Sequence, residues 1–397
     1  MKVSQVKRSG KRIETKYISR LGIQSYGADN LYPQDLMQIT HASGTAELCL
    51  SRYAKFIEGF GFNNTALSEV LANAQGETLD DILHNLVLDV ARFGGIALHV
   101  NYNVLGEVSS VHHVPFENCR LSEKDDAGHV EFICIHDDWS GNSTRRGQKV
   151  QVNENTIDRI HVYNPRKEVV QAQIIESGGI EHYKGQVLYI GLHGKGYPIP
   201  IYDACVTDIS TDEGLGNVKY RNARNNFLVS CMLIAKKGQP NISADGRIEQ
   251  EQMISDDDLK QFQGDEKTGK ILYVELENDE DKPEVVEFPA RNFDKDFEVT
   301  ESSIVERIYA QFHQEIFHAV RIGKLGFSGD VMREAYEYYA GEVTHEQRFI
   351  ERVFAKVFAD WHEPLPTYDF SIAPLRYVNS DTTNTAPLTT NEEQGNG

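Results

Sequence analysis

Residues 319–330 read AVRIGKLGFSGD, so Gly323, Gly326 and Gly329 are interleaved with Arg321 and Lys324, and His318 stands one position before. A glycine-rich basic stretch raises the question of phosphate binding. A P-loop needs G-x-x-x-x-G-K-[ST] between a strand and a helix, so that backbone N–H groups and one Lys converge on the phosphates. Here the Lys precedes two of the three glycines, and the preceding run ESSIVERIYAQFHQEIF has helical apolar spacing. The pattern points away from a nucleotide cradle. What remains is a basic connection with an apolar tip, Leu325 and Phe327. Its glycines, free of a Cβ, could let it change shape.

Other residue sets carry groups that could do chemistry. His136, Asp137 and Asp138 are adjacent, and adjacent strand residues point to opposite faces, which suits a turn better than a ligand trio. His112 and His113 meet the same objection. GLHGKG at 191–196 holds its glycines in the wrong order for a dinucleotide loop. Asp256, Asp257 and Asp258, and then Asp279, Glu280 and Asp281, form acidic runs that read as solvated faces. Neither G-x-S-x-G nor H-E-x-x-H occurs. The sequence therefore nominates no catalytic residue, no metal ligand and no cofactor, and an enzyme is not expected.

These segments hang on a framework that the periodicities predict. Residues 34–58 read as one or two helices ended by Gly59 and Gly61. Thr78 and Asp81 resemble a capping box. The stripe Leu79, Ile82, Leu83, Leu86, Val87, Val90 and Phe93 then predicts a helix that stops at Gly94. IALHVNYN, VSSVHHVPF, HVEFICIH, IDRIHVYN, VVQAQIIES and GQVLYIGLH alternate like strands, which predicts a mainly antiparallel β-rich region over 96–193. A long polar helix is expected over 201–229, then strand MLIAKK, short helix SDDDLKQFQ, and strands GKILYVEL and EVVEF. A second long helix is expected at about 300–320. After the glycine loop comes a third over 331–362, with a break near Gly341 and a start capped by Ser328 or Asp330. The fold class is α+β. The low-hydrophobicity tail NSDTTNTAPLTTNEEQGNG is expected to be disordered.

Composition narrows the function. The chain has 397 residues, 40% hydrophobic, and a net charge of −20. No run of 18 apolar residues suggests a membrane span. The five cysteines, Cys49, Cys119, Cys134, Cys205 and Cys231, are scattered and odd in number, which predicts free thiols in a reducing compartment rather than a disulfide framework or a zinc site. Residues 1–20 carry seven basic residues and one acid, whereas 245–301 carry nineteen acids and seven basic residues. A nucleic-acid binder with a broad basic face is not expected from that balance.

In EGLGNVKYRNARNNFL, GKILYVEL with EVVEF, and DKDFEVTESSIVERIYAQFHQEIF, taken with YGADNLYP, ARFGGIALHV and YPIPIYDA, the chain resembles the portal proteins of tailed bacteriophages. The resemblance spans 26–365 and rests on element order and diffuse similarity. It implies a portal-like fold, with a β-rich wing domain at 26–200 and stem helices at 201–230 and 290–320. A small α/β clip insert would occupy 231–289, a tunnel loop 318–330, and a long wing helix 331–365. Residues 366–397 would be a short crown or a disordered tail, and 1–25 a basic flexible arm. It implies a homo-oligomeric ring of twelve subunits at a capsid vertex. Its partners would be large terminase, head–tail adaptor proteins, major capsid or scaffolding protein, and double-stranded DNA passing through the channel. No membrane is involved. The location would be the virion, and the host cytoplasm during assembly. His318, Arg321, Gly323, Lys324, Gly326, Phe327 and Gly329 would then face the channel, and the six acidic residues of the clip would meet the motor. Lys219, Arg221 and Arg224 would pair with acids of the next subunit. Two readings stay open beside this one: an acidic adaptor without a pore, and a metal-dependent nuclease using the acidic runs. Leu325 and Phe327 could also simply pack in the core at a helix–helix turn, and the polar stem helix could be a solvated surface helix.

Overall fold

The computed structural model describes residues 15–142, 144–145, 148–149, 151–193, 196–225, 229–236, 240–242, 248–250, 270–276, 293–326 and 328–378, with backbone alone over 221–298. Two compact units divide the chain. One comprises Met1–Thr207 and Glu306–Gly397, the other Asp208–Val305.

The first unit opens with a small hairpin, β1 (Tyr17–Ile18) on β2 (Ile23–Gln24). Leu21 and Ile23 bury into a cluster with Cys134, Trp139 and Ile157. Residues 17–24 are thus anchored, which corrects the expectation of a flexible arm as far as residue 25; residues 1–14 lie outside the described residues. Helices α1 (Tyr32–Ala42) and α2 (Gly44–Glu58) follow, split at Ser43, whose hydroxyl accepts from Ala46 N and caps the second helix. Gly59 has φ +62°, and a Cβ there would lie 2.1 Å from the carbonyl oxygen of Ala373, so only glycine fits that stop. The short α3 (Thr65–Ser68) leads to α4 (Leu79–Phe93), which starts at the full capping box of Thr78 and Asp81 and ends at left-handed Gly94. The whole expected apolar stripe of α4 is buried.

A six-stranded mixed sheet follows α4. Its strands are β3 (Gly95–Tyr102), β4 (Val108–His113), β5 (Cys119–Leu121), β6 (Phe132–Ile135), β9 (Asp158–Val162) and β10 (Gln186–Gly191), in the order β4-β3-β10-β9-β6-β5. The two-residue strands β7 (Thr144–Arg145) and β8 (Gln148–Lys149) pair outside it. Every neighbouring pair in the sheet is antiparallel except β9 with β10. That exception corrects one expectation. VVQAQIIES is not a strand but most of helix α5 (Lys167–Glu176). Parallel neighbours need a crossover, and a helix supplies it; β-branched Val169, Val170, Ile174 and Ile175 yield to that topology. Both sheet edges are blunted: His362 N donates to Val108 O on β4, and Ser122 beyond β5 bridges to Ile23.

One face of the sheet packs Ala97, Val187, Ile133, Ile160, Cys119 and Leu121 under Tyr26, Phe93 and Phe116. The three stretches YGADNLYP, ARFGGIALHV and YPIPIYDA come together here. The rings of Tyr26 and Tyr197 stack at 4.0 Å, the Tyr26 hydroxyl donates to Pro198 O, and that of Tyr202 to Arg92 O. The Tyr32 hydroxyl donates to Asp203 Oδ1 at 2.5 Å. Gly95 lies so close to Pro198 that a Cβ would sit 2.6 Å from its Cγ. At the centre is Arg120, fully buried. Its Nε donates to Asn30 Oδ1, Nη1 to Glu117 O and Cys119 O, and Nη2 to Asn30 O and Gln34 Oε1. A guanidinium has five N–H donors, and all five are satisfied here by neutral acceptors. Burial still presses the Arg120 pKa downward. Asn30 adopts φ +68°, which Asn tolerates better than most residues.

On the other side of β3, α4 packs against β3 and β4 and against α2. Buried Asp89 of α4 meets His113 Nε2 of β4 at 2.7 Å. Burial raises the Asp89 carboxyl to about 6, with His113 opposing the rise. Cys49, Cys119, Cys134 and Cys205 are buried and form no disulfide.

In the second unit, β11 (Val229–Lys236) pairs in parallel with β14 (Lys270–Leu276), and β12 (Pro240–Ile242) pairs with β13 (Ile248–Gln250). The expected SDDDLKQFQ helix, EVVEF strand and both acidic runs lie outside the described residues. A 3-10 turn at Ile201–Cys205 precedes helix α6 (Val206–Asn225), and α7 (Phe293–Gln311) returns the chain.

Beyond α7 the structure departs from the expected single helix at 300–320. Residues 312–314 interrupt it, and α8 (Glu315–Arg321) resumes. The expected 331–362 helix has its expected break near Gly341: it is two helices, α9 (Gly329–Glu342) and α10 (Thr344–Val357), parted at Val343. Ser328 caps α9 by accepting from Val331 N. Residues 366–378 do not form a separate crown or loose tail, because Phe370, Ile372 and Leu375 bury into the first unit. Among the described residues no helix is long and apolar enough to cross a membrane.

Candidate nucleic-acid interface

The glycine-rich loop is positioned by the interruption between α7 and α8. His313 adopts φ +54°, a conformation that costs a non-glycine residue roughly 1 kcal/mol or more. A buried side chain holds it there. Gln314 is fully buried, donates through Nε2 to Cys49 O and to the Tyr339 hydroxyl, and accepts at Oε1 from Arg52 Nη1. The Tyr339 hydroxyl in turn donates to Phe312 O, the carbonyl two residues before Gln314. The bend is therefore pinned to α2 and α9 at once. Arg52 also lies 4.6 Å over the ring of Phe317 on α8.

The end of α8 is a Schellman motif. Lys324 N donates to Ala319 O at 2.9 Å and Gly323 N to Val320 O at 3.1 Å, with Gly323 at φ +75°. Gly323 is thus required by a fixed cap, not by loop freedom. Gly329 is the first residue of α9, within the helix. Only Gly326 keeps the expected place in the connection, with open space where a Cβ would point. The expected loop 318–330 is therefore shorter, because 318–321 are helical and 329–330 already belong to α9.

From Arg321 to Gly326 every residue is exposed. Leu325 shares that exposure, so it does not pack in the core; Phe327 lies outside the described residues. Arg321 Nη1 donates to the Tyr309 hydroxyl at 3.0 Å, and that bond favours the charged guanidinium. The ring of His318 lies 4.9 Å from that of Tyr309. His318 and Arg321 are thus gathered on one tyrosine, while Lys324 stands in the exposed turn beyond the cap. The sequence reading missed Tyr309, Gln314, Arg52 and Tyr339, which hold this arrangement. One signal was present: a glutamine between Phe312 and Phe317, in a run that otherwise has helical apolar spacing.

The other expected site residues fall elsewhere. Lys219 on α6 forms an ion pair with Glu301 on α7 of its own chain, so an acid of another subunit is not its only available partner. Both side chains are substantially exposed, and such pairs contribute about 0–1 kcal/mol. Arg221 and Arg224 lie in α6. Asp256, Asp257, Asp258, Asp279, Glu280 and Asp281 lie outside the described residues. His136 is buried, and its Nδ1 accepts from Asp138 N, which makes HDD a turn. Among the described residues no group of three or more His, Cys, Asp or Glu is placed to hold a metal ion.

No family model matches the chain, and no curated protein does. Among solved structures it is similar to chains of gene transfer agent particles. A chain of a native gene transfer agent virion is 12% identical, with 82% of this chain and 79% of that one covered, at a TM-score of 0.41. A chain of the neck of the native particle, computed with C12 symmetry, is 12% identical, with 86% and 83% covered and a TM-score of 0.44. One from the neck of the empty particle, computed with C6 symmetry, is 11% identical, with 89% and 85% covered and a TM-score of 0.43. Likeness of this degree assigns no function.

Proposed function

We propose that the chain is a portal protein, assembling as a ring at a capsid vertex and acting as the conduit for DNA packaging and ejection without enzymatic turnover. The observation that carries this reading is the display of Arg321–Gly326. A short, wholly exposed stretch with two cations is held out by a pinned bend and a helix cap. DNA sliding through a pore must not adhere, since each phosphate contact adds a counterion-release contribution to binding. A loop with two or three basic groups on a chain of net charge −20 meets that need: few attractive contacts against a repulsive background. Helix α6 fits the same reading. Residues 216–220 are all exposed, with Val218 and Tyr220 among them, a surface that copies of the chain would cover in a ring. In this role the second unit would dock the large terminase and later the head–tail adaptor proteins. Capsid or scaffolding protein would contact the ring's periphery during assembly in the host cytoplasm, and the finished ring would stay in the virion.

The test is negative-stain electron microscopy of the purified chain at high concentration and low salt, alone and with capsid and scaffolding proteins. Rings with a central hole are expected. A chain that stays monomeric under all these conditions would overturn the proposal.

A further inference from the structure

Residues 366–378 lie across the first unit, where Ile372 makes an isolated antiparallel bridge with Phe62. Phe60 N donates to Ala373 O, Ala373 N to Gly61 O, and Asn63 N to Ser371 O, each at 2.8 Å. Glu351 Oε1 accepts from Ile372 N, and the Phe370 ring packs on Phe62 and Phe354. These contacts are anchored on residues 60–63, just past α2, and on α10, and they bring Tyr377 onto α9, where its ring meets Tyr336 edge-on at 5.5 Å. Tyr336 in turn packs against Phe56 at 5.0 Å and against Phe317 at 6.0 Å. Phe317 belongs to α8, the helix whose cap uses Gly323.

Helix α8 has seven residues, too few to be stable by itself. Its position is set by what its side chains touch: Phe317 among Phe56, Tyr336, Tyr339 and Arg52, and buried Val320. Tyr336 is one wall of that socket, and Tyr377 backs the wall. We infer that the C-terminal segment is a strap that positions the glycine-rich loop, acting from Tyr377 through Tyr336 to Phe317. Tyr377 is a positioning residue on this reading. The inference stands whether or not the loop meets DNA.

The test is hydrogen exchange at the amides of Gly323 and Lys324, which the α8 cap protects, in the full chain. Tyr377→Ala should speed their exchange about two- to tenfold, the loss of one aromatic pair, while β3 amides keep their rate. Tyr377→Phe should exchange like the wild type. Wild-type rates at Gly323 and Lys324 in Tyr377→Ala would overturn the inference. Should that variant exchange faster everywhere, β3 included, Tyr377→Leu decides. Acceleration confined to the loop supports the strap, and wild-type rates there overturn it. A portal role could fail by microscopy while this coupling held, and the reverse.

Discussion

The Arg120 hub and the Gln314 bend are both buried polar knots, yet they hold different things. Arg120 joins residues 26–34 to β5 and its approach, and each contact it makes is internal to a rigid sheet and its cover. Gln314 secures a break in a helix, and the polypeptide beyond it is exposed over Arg321–Gly326. The first knot defines a fold; the second aims a loop. The difference teaches that full satisfaction of buried donors can serve stability in one place and presentation in another, and that only what lies next to the knot tells which.

Substitution should separate the two. Arg120→Met removes the five donors that reach Asn30 Oδ1, Gln34 Oε1 and the carbonyls of Asn30, Glu117 and Cys119, and should cost about 3–5 kcal/mol in urea unfolding. A loss below about 1 kcal/mol would remove Arg120 from the hub's energetics. The next effect lies outside both knots and calibrates them. Asp89 binds its proton more tightly when folded, so its favourable contribution is complete below pH 3.8 and lost as pH rises through about 6. Wild-type stability should therefore decline across that window relative to Asp89→Asn by up to about 3 kcal/mol. Parallel melts at pH 4 and pH 7.5 read it, and parallel curves would refute the burial argument. Glu117 and Arg92 also bear on Asp89, so their substitution should shift the window. Gln314→Leu should cost about 1–3 kcal/mol globally, but its sharper signature is local, with exchange at residues 315–324 rising more than in β3. Equal rises in both places would make Gln314 a second Arg120 and erase the contrast. The smallest effect is Lys219→Ala, within about 1 kcal/mol of wild type for an exposed pair, by thermal melting of the same samples.

Much of the first unit was legible from residue spacing. The capping box at Thr78, the α4 stripe and the Gly94 stop are local rules, and all three hold in the structure. The strand segments at 96–102, 108–113, 132–135, 158–162 and 186–191 also announced themselves by alternation. VVQAQIIES did not read correctly, because its β-branched residues state a local preference that the β9–β10 crossover overrides. The loop was legible as a loop, but not as a cap. The roles of Gly323 and Gly329 depend on where α8 ends and α9 begins, and that follows from packing around Phe317 and Gln314.

From the chain alone come the α+β class, the capped helices, the described strands of four or more residues, the acidic balance, and a basic glycine-rich connection without a phosphate motif. These depend on neighbours within a turn or two, or on composition, which no tertiary contact can alter. Tertiary structure decided the rest: that YGADNLYP, ARFGGIALHV and YPIPIYDA meet around Arg120, that α7 and α8 part at His313, and that residues 366–378 return to brace Tyr336. Each of these closes contacts between residues tens to hundreds of positions apart. A long-range contact is chosen by which buried donors and rings find partners in the assembled core, and the local pattern at either end carries no record of that choice.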